Sequence, residues 1–216
     1  MIIKAKSYPR PIFLMGAKFI SWVVKRRFNK LSIDKIAIKP NHSYLLMCNH
    51  FSFLDGFLAN YLCVNLINKQ QPIKGIYIMV LKKQMQMNPW LRFLGCFSVS
   101  PGKANVNQSL DYAAQKLNEP GNVVIMFPQG NLESCHVRKI EAKEGINHII
   151  SNTKNNCQLI WSSNLVEYFE STKPSVYFHP LDCGTNTGFE FEKLKQQINK
   201  HHQQALKSQL RFTFED

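Results

Sequence analysis

The stretch Tyr44-Leu45-Leu46-Met47-Cys48-Asn49-His50-Phe51-Ser52-Phe53-Leu54-Asp55-Gly56-Phe57 holds the reading of the fold. Its first half is a short, unbroken apolar run, the pattern of a strand covered on both faces. Its second half opens a helical pattern, and a histidine stands at the junction. A His just past a strand end, with an acid five residues on, fits a general base and its orienting partner. In continuous helix the two would stand about 140° apart at ~3.6 residues per turn. They meet only if His50 lies in a loop and Asp55 in the first helical turn. The carboxylate then accepts a hydrogen bond from one ring nitrogen, fixes the tautomer and leaves the other nitrogen free for a proton. A second reading needs no chemistry: Ser52-x-x-Asp55 is also a capping box, in which the acid serves the helix start.

Outward from this junction, short apolar runs alternate with helical patterns, which predicts an α/β domain. The strands are expected at Lys35 to Ile38, Ser43 to Cys48, Gly75 to Val80, Cys96 to Val99, Asn122 to Phe127, Gln158 to Ser162 and Ser175 to Phe178. Helices are expected at Phe53 to Asn68, Pro89 to Leu94, Val106 to Leu117, Ile140 to Ser151 and Phe189 to Leu210. The expectation is a single domain with a mixed, mostly parallel sheet flanked by helices, over residues 33–216, preceded by an N-terminal helical segment over residues 1–32.

That segment carries most of the charge. The 216 residues have a formal charge of +13, of which +9 falls in residues 1–40. A nearly neutral body with a basic, apolar end points to an anionic surface, phospholipid or nucleic acid. The run Pro11 to Val24, PIFLMGAKFISWVV, would span about 21 Å as a helix, short of the ~30 Å hydrocarbon core. A helix lying in the membrane interface fits it, with Trp22 and Phe19 at headgroup depth and Lys25, Arg26, Arg27 and Lys30 against anionic lipid. The competing reading is a core-packing helix with a solvated basic end. Lys4, Lys6 and Arg10 precede this run and no small-residue cleavage site follows it, so it does not read as a secretory signal. The six cysteines show no C-x-x-C spacing and are expected to be reduced and mostly buried. The histidines form no metal-ligand spacing, and no metal site is expected; His42, His201 and His202 are expected to be exposed.

Four segments, in order over roughly residues 30 to 180, resemble the lysophospholipid acyltransferase superfamily, typified by 1-acylglycerol-3-phosphate acyltransferases. Asn49-His50 with Asp55 matches its N-H-x-x-x-x-D motif. Gly95-Cys96-Phe97-Ser98-Val99-Ser100 is similar to G-x-x-F-x-x-R, and Phe127-Pro128-Gln129-Gly130-Asn131 to F-P-E-G-T. Leu159 to Tyr168 falls where the superfamily has a strand near V-P-V. The resemblance implies the glycerol-3-phosphate acyltransferase-like fold and transfer of a fatty acyl group from acyl-CoA or acyl carrier protein, as co-substrate, to a hydroxyl of a membrane lipid. It implies His50 and Asp55 as catalytic residues, substrate contacts from Asn49, Gly95, Ser100, Phe127, Pro128, Gln129, Gly130 and Asn131, and no cofactor. Arg138, Lys139 and Lys143, which follow the third motif, are candidate contacts for the donor's phosphates. The enzyme would work at the cytoplasmic side of the membrane as a peripheral or monotopic protein.

Two departures bear on the acceptor. Ser100 and Leu132 stand where the superfamily pattern has arginines, and Gln129 replaces a glutamate. Arginines grip phosphate in bidentate fashion, so their absence points to an acceptor less anionic than lysophosphatidate: a glycolipid, an aminolipid or a glycosylated carotenoid, with Gln129 and Asn131 as hydrogen-bonding groups. A lipid hydrolase could use the same dyad on water, and a non-catalytic lipid-binding relative would keep the fold without the reaction. A nucleic-acid partner is not expected, because the positive charge forms no stripe along the folded body and lies beside apolar residues.

Overall fold

The computed structural model describes residues 2–102, 106–169 and 171–209. Helix α1 (Arg10–Arg27) precedes a seven-stranded sheet made of β1 (Leu31–Ile33), β2 (Ser43–Cys48), β3 (Gly75–Leu81), β4 (Cys96–Val99), β5 (Asn122–Met126), β6 (Cys157–Glu167) and β7 (Ser175–Thr185), in the spatial order β1-β7-β6-β2-β5-β3-β4. The five strands from β6 to β4 are mutually parallel, β7 pairs antiparallel with β6, and β1 runs parallel to β7.

Strands β2 and β5 are buried along their whole length, as central parallel strands with helices on both faces must be. Their side chains alternate between two cores. Tyr44, Leu46, Cys48, Val123 and Ile125 face one core with residues of α1 and of α2 (Asp55–Leu62). Leu45, Met47, Val124 and Met126 face the other, with α5 (Val106–Leu117), α6 (Gly145–Ser151) and α7 (Phe191–Ser208). Helix α2 continues through a π turn, Cys63–Ile67, into the short α3, Asn68–Gln70. A further short helix, α4 (Lys82–Met87), and a 3-10 turn, Pro89–Leu94, join β3 to β4. The 3-10 turn ends at Gly95, whose φ of 83° and whose closeness to the Ile76 carbonyl oxygen, which a Cβ would overlap, leave room for glycine alone.

Several sequence expectations are corrected. Strands β6 and β7, expected to end at Ser162 and Phe178, run on to Glu167 and Thr185, because they pair with each other beyond those points. Residues 35–38 are not a strand; β1 lies earlier. The backbone of this segment is satisfied by two glutamine side chains instead of by a neighbouring strand: Gln70 Oε1 accepts from Ile38 N and Gln70 Nε2 donates to Ile36 O, while Gln158 Oε1 accepts from Lys39 N and Gln158 Nε2 donates to Ala37 O. Helix α6 begins at Gly145 and not at residue 140, because Asn199 on α7 takes both backbone groups of Ile140. His202, expected at the surface, is 0% exposed. It lies in a buried chain of hydrogen bonds in which Trp161 Nε1 donates to Ser163 Oγ, His202 Nδ1 pairs with that Oγ at 3.0 Å, and Nε2 donates to Val137 O at 2.8 Å. Leu210, the expected end of the last helix, falls outside the described residues.

Helix α1 buries Ala17, Ser21 and Val24 against the body, where Asn60 Nδ2 donates to Ala17 O and Asn65 Nδ2 to Ser21 Oγ. Residues 2–6 run beside the far edge of the sheet: Ser98 N donates to Ile3 O and Ile3 N to Ser98 Oγ. Among the described residues no helix is long and apolar enough to cross a membrane.

Candidate active site

Strand β2 ends at Cys48 and delivers Asn49 and His50 at its carboxyl end, beside the end of β5, which delivers Phe127 to Gly130. Asn49 is fixed first: its Nδ2 donates to Asn164 O and its Oδ1 accepts from Asn164 N, tying the loop to β6. His50 lies in the loop and Asp55 is the first residue of α2. Asp55 Oδ2 accepts three hydrogen bonds, from His50 Nδ1 at 2.7 Å, Phe51 N at 2.7 Å and Ser52 N at 2.8 Å. The dyad geometry holds, while the capping box is only half made: Ser52 Oγ accepts from Leu54 N and not from the amide three residues on, and the helix begins at Asp55 itself. The same carboxylate reaches back to the Ser52 amide at the helix start and orients the imidazole. An ionised carboxylate only accepts, so the ring hydrogen sits on Nδ1 and Nε2 is the nitrogen left for a proton. Asp55 is 0% exposed, and its Oδ1 is buried without a hydrogen-bond partner among the described residues.

The imidazole stacks on Phe127, with ring centroids 4.4 Å apart. Its main chain is held as well: His50 N donates to Gln129 Oε1 at 2.7 Å, and Glu133 N donates to His50 O at 2.8 Å. Gln129 is 3% exposed, and its Nε2 donates to the Glu133 carboxylate.

His50 opens onto a cavity of about 560 Å³, within the range of small-ligand sites. One wall is α2, through Gly56, Phe57 and Asn60; another is β3, from Ile78 to Leu81; Leu91, Leu94, Val99 and Leu110 close it, and Ile20 of α1 reaches it. The mouth carries Phe127, Pro128, Gly130, Asn131, Leu132 and Lys143. Gly130 adopts a φ of 72°, and the Lys143 ammonium lies 2.7 Å from where its Cβ would stand. Among the described lining residues Lys143 is the sole Lys, Arg, Asp or Glu. A slot this apolar, with one base and one cation at its mouth, suits a chain-like apolar ligand carrying a reactive polar end.

Of the residues singled out in the sequence, His50, Phe127, Pro128, Gly130, Asn131 and Lys143 meet at this cavity, with Asp55 directly behind. Asn49, Gln129, Gly95 and Ser100 do not line it. Asn49 and Gln129 are turned into the protein, and Gly95 is spent on its turn. Arg138 lines a separate groove with Lys207, and Lys139 pairs with Glu141. Of the apolar residues of β3 and of the segment that joins it to β4, Met79, Leu91 and Leu94 line the cavity, while Met85 is core and Met87, Trp90 and Phe93 are exposed. Glu133 was not singled out from sequence, since its carboxylate matters only through Gln129. The cysteines are chemically quiet: burial pushes Cys48, Cys96 and Cys157 up to about 12.

A buried acid thus stands behind a loop histidine, at the carboxyl ends of adjacent parallel strands and facing an apolar slot. The chain matches the Acyltransferase family over residues 30–163 and belongs to it, within the lysophospholipid acyltransferase superfamily. Its fold is similar to that of the 1-acyl-sn-glycerophosphate (LPA) acyltransferase PlsC from Thermotoga maritima, with a TM-score of 0.57 and 18% identity over 92% of this chain and 82% of that one. No curated protein matches the chain.

Proposed function

We propose that this acyltransferase moves a fatty acyl group from an acyl thioester, acyl-CoA or acyl carrier protein, to a hydroxyl of a membrane lipid less anionic than lysophosphatidate. The observation that carries the reading is the His50–Asp55 pair opening onto the apolar slot. His50 Nε2 takes the acceptor's hydroxyl proton as its oxygen bonds to the thioester carbonyl carbon. The tetrahedral intermediate then expels the thiolate, which takes the proton back from the imidazolium and leaves as a free thiol. Asp55 holds the ring through Nδ1 and stabilises its cation across that contact. No protein nucleophile is needed. The acyl chain occupies the slot between α2 and β3, and Lys143 meets negative charge on the donor side, its phosphates or the carbonyl oxygen as it becomes anionic.

The acceptor class follows from what lines the mouth. Leu132 is exposed there, no arginine stands among the described lining residues, and Glu133 brings a carboxylate into the adjacent loop. A phosphomonoester would meet one lysine where the superfamily pattern has two arginines. Asn131, exposed at the rim, is the group set to hydrogen-bond a sugar or amide. We place the enzyme peripherally on the anionic, cytoplasmic membrane face; the exposed Met15, Phe19 and Trp22 of α1 support a membrane-facing surface.

The test is thiol release and lipid acylation with acyl-CoA or acyl carrier protein against lysophosphatidate, a glycolipid and an aminolipid. The expected result is product with an uncharged or amino acceptor at about tenfold or more higher kcat/KM than with lysophosphatidate, the size of one lost charged hydrogen bond. Efficient and preferential use of lysophosphatidate contradicts the acceptor class. Thiol release without acylated lipid identifies a hydrolase, and no release with any donor identifies a binding protein.

A further inference from the structure

Three hydrogen bonds close a ring between the loop that carries His50 and the segment after the third motif. His50 N donates to Gln129 Oε1, Gln129 Nε2 donates to the Glu133 carboxylate, and Glu133 N donates back to His50 O. The ring sets a strict requirement at position 129, which must accept from the His50 amide and donate to the group at 133. A primary amide meets both demands without taking up or losing a proton, whereas an ionised carboxylate can only accept. A glutamate at 129 would still accept from His50, but would turn a second carboxylate towards Glu133 in a place where Gln129 is 3% exposed. Like charges so placed repel strongly, because little water screens them.

We infer that Gln129 and Glu133 are a matched positioning pair that fixes the main chain of the general base from both sides. The glutamine is then not the loss of an acidic group from the site: the carboxylate stands four residues further along and the amide links it to His50. Asp55 and Phe127 set the ring of His50, and this pair sets the backbone from which the ring projects, so the direction of Nε2 depends on both. The inference rests on His50 acting as the base, and its test separates the two.

The variants are Gln129→Glu, Glu133→Gln and the double exchange. Each is followed by acyl-transfer kinetics, by thermal unfolding and by the ¹H–¹⁵N imidazole signals of His50, assigned through their loss in His50→Ala. Gln129→Glu is expected to lower kcat about tenfold to a hundredfold, the scale of an ångström-sized misplacement, with KM for the donor within about threefold, and to shift the His50 signals. Glu133→Gln keeps an acceptor for the Gln129 amide and is expected to be mild. In the double exchange the amide stands at position 133 and donates to the carboxylate at position 129; kcat and the His50 signals are expected to return to those of Glu133→Gln. If Gln129→Glu does not fold, the double exchange is expected to restore folding. Wild-type kcat and unshifted His50 signals in Gln129→Glu overturn the inference, as does a double exchange that recovers neither activity nor signals nor folding. If the wild-type protein transfers no acyl group, the proposed function fails, while the His50 signals and the unfolding series still decide whether the pair positions this residue.

Discussion

At His50, four contacts converge on one residue: a carboxylate on Nδ1, an aromatic ring on one face and a hydrogen bond on each backbone polar group. Local sequence reports the first of these, because Asp55 lies five residues away and the strand–loop–helix pattern sets their geometry. It reports the others poorly, since Phe127, Gln129 and Glu133 arrive from about 80 residues further on. His202 shows the opposite case. Flanked by Lys200, His201 and Gln203 on a polar-looking helix, it reads as exposed, yet it is buried between Ser163 and Val137. Burial pushes its imidazole below the ordinary value of 6.5, so the folded protein takes up that proton less readily than the unfolded chain. Above pH 6.5 both states are neutral at this site and it is silent. As pH falls below 6.5 the unfolded chain gains the proton first, and stability is lost until the folded-state value is passed. One such site contributes a slope of at most about 1.4 kcal/mol per pH unit. Urea unfolding between pH 7.5 and 5.5 is expected to show this loss in the wild type and a smaller one in His202→Gln. Equal slopes would contradict the assignment.

Helix α1 shows how an element can serve two neighbours. Ala17, Ser21 and Val24 form its inner stripe, while Met15, Phe19 and Trp22 stand on the opposite side at 69%, 62% and 50% exposure, with Phe19 stacked on Trp22 and Arg26 over the Trp22 ring. The sequence offered a core helix and an interfacial helix as alternatives. The inner stripe is core, and the outer stripe has the apolar, cation-flanked character of an interfacial surface. Ile20, between the two stripes, lines the cavity, which would bring a lipid acceptor in the membrane close to the site. Replacing Met15, Phe19 and Trp22 by Ser is expected to reduce binding to anionic vesicles about tenfold or more, at ~1.5–3 kcal/mol for each large side chain fully buried. The thermal midpoint should change little, because at least half of each of these residues is already exposed. Unchanged sedimentation with vesicles would rule out this surface. Element boundaries were legible at β2 and β4, which lie where their apolar runs place them, but not at β6 and β7, whose mutual antiparallel pairing carries them past Ser162 and Phe178 to Glu167 and Thr185. They were also illegible at residues 35–38 and at Ile140, where distant amide side chains take over the backbone bonds and no local pattern reports it.

In the molecule as a whole, the site follows from the winding of the sheet. From β2 the chain passes through α2 on one face to β3; from neighbouring β5 it passes through α6 on the other face to β6, on the far side of β2. Where two adjacent parallel strands send their connections in opposite directions, a crevice opens at their carboxyl ends, and it is there that β2 delivers His50 and β5 delivers the Phe127 to Gly130 turn. Strand alternation in the sequence made the fold class legible, and the two motifs, about 75 residues apart, made the chemistry legible. The cavity wall was not, because it is assembled from α1, α2, β3 and the 3-10 turn, whose apolar residues look like any core. Every step proposed for this site depends on His50 acting as the base. Thiol release from an acyl thioester in the presence of a lipid acceptor, compared between the wild type and folded His50→Ala, is predicted to fall by about 10²–10⁴-fold, the usual contribution of a positioned base. Release at the wild-type rate from the folded variant would contradict it.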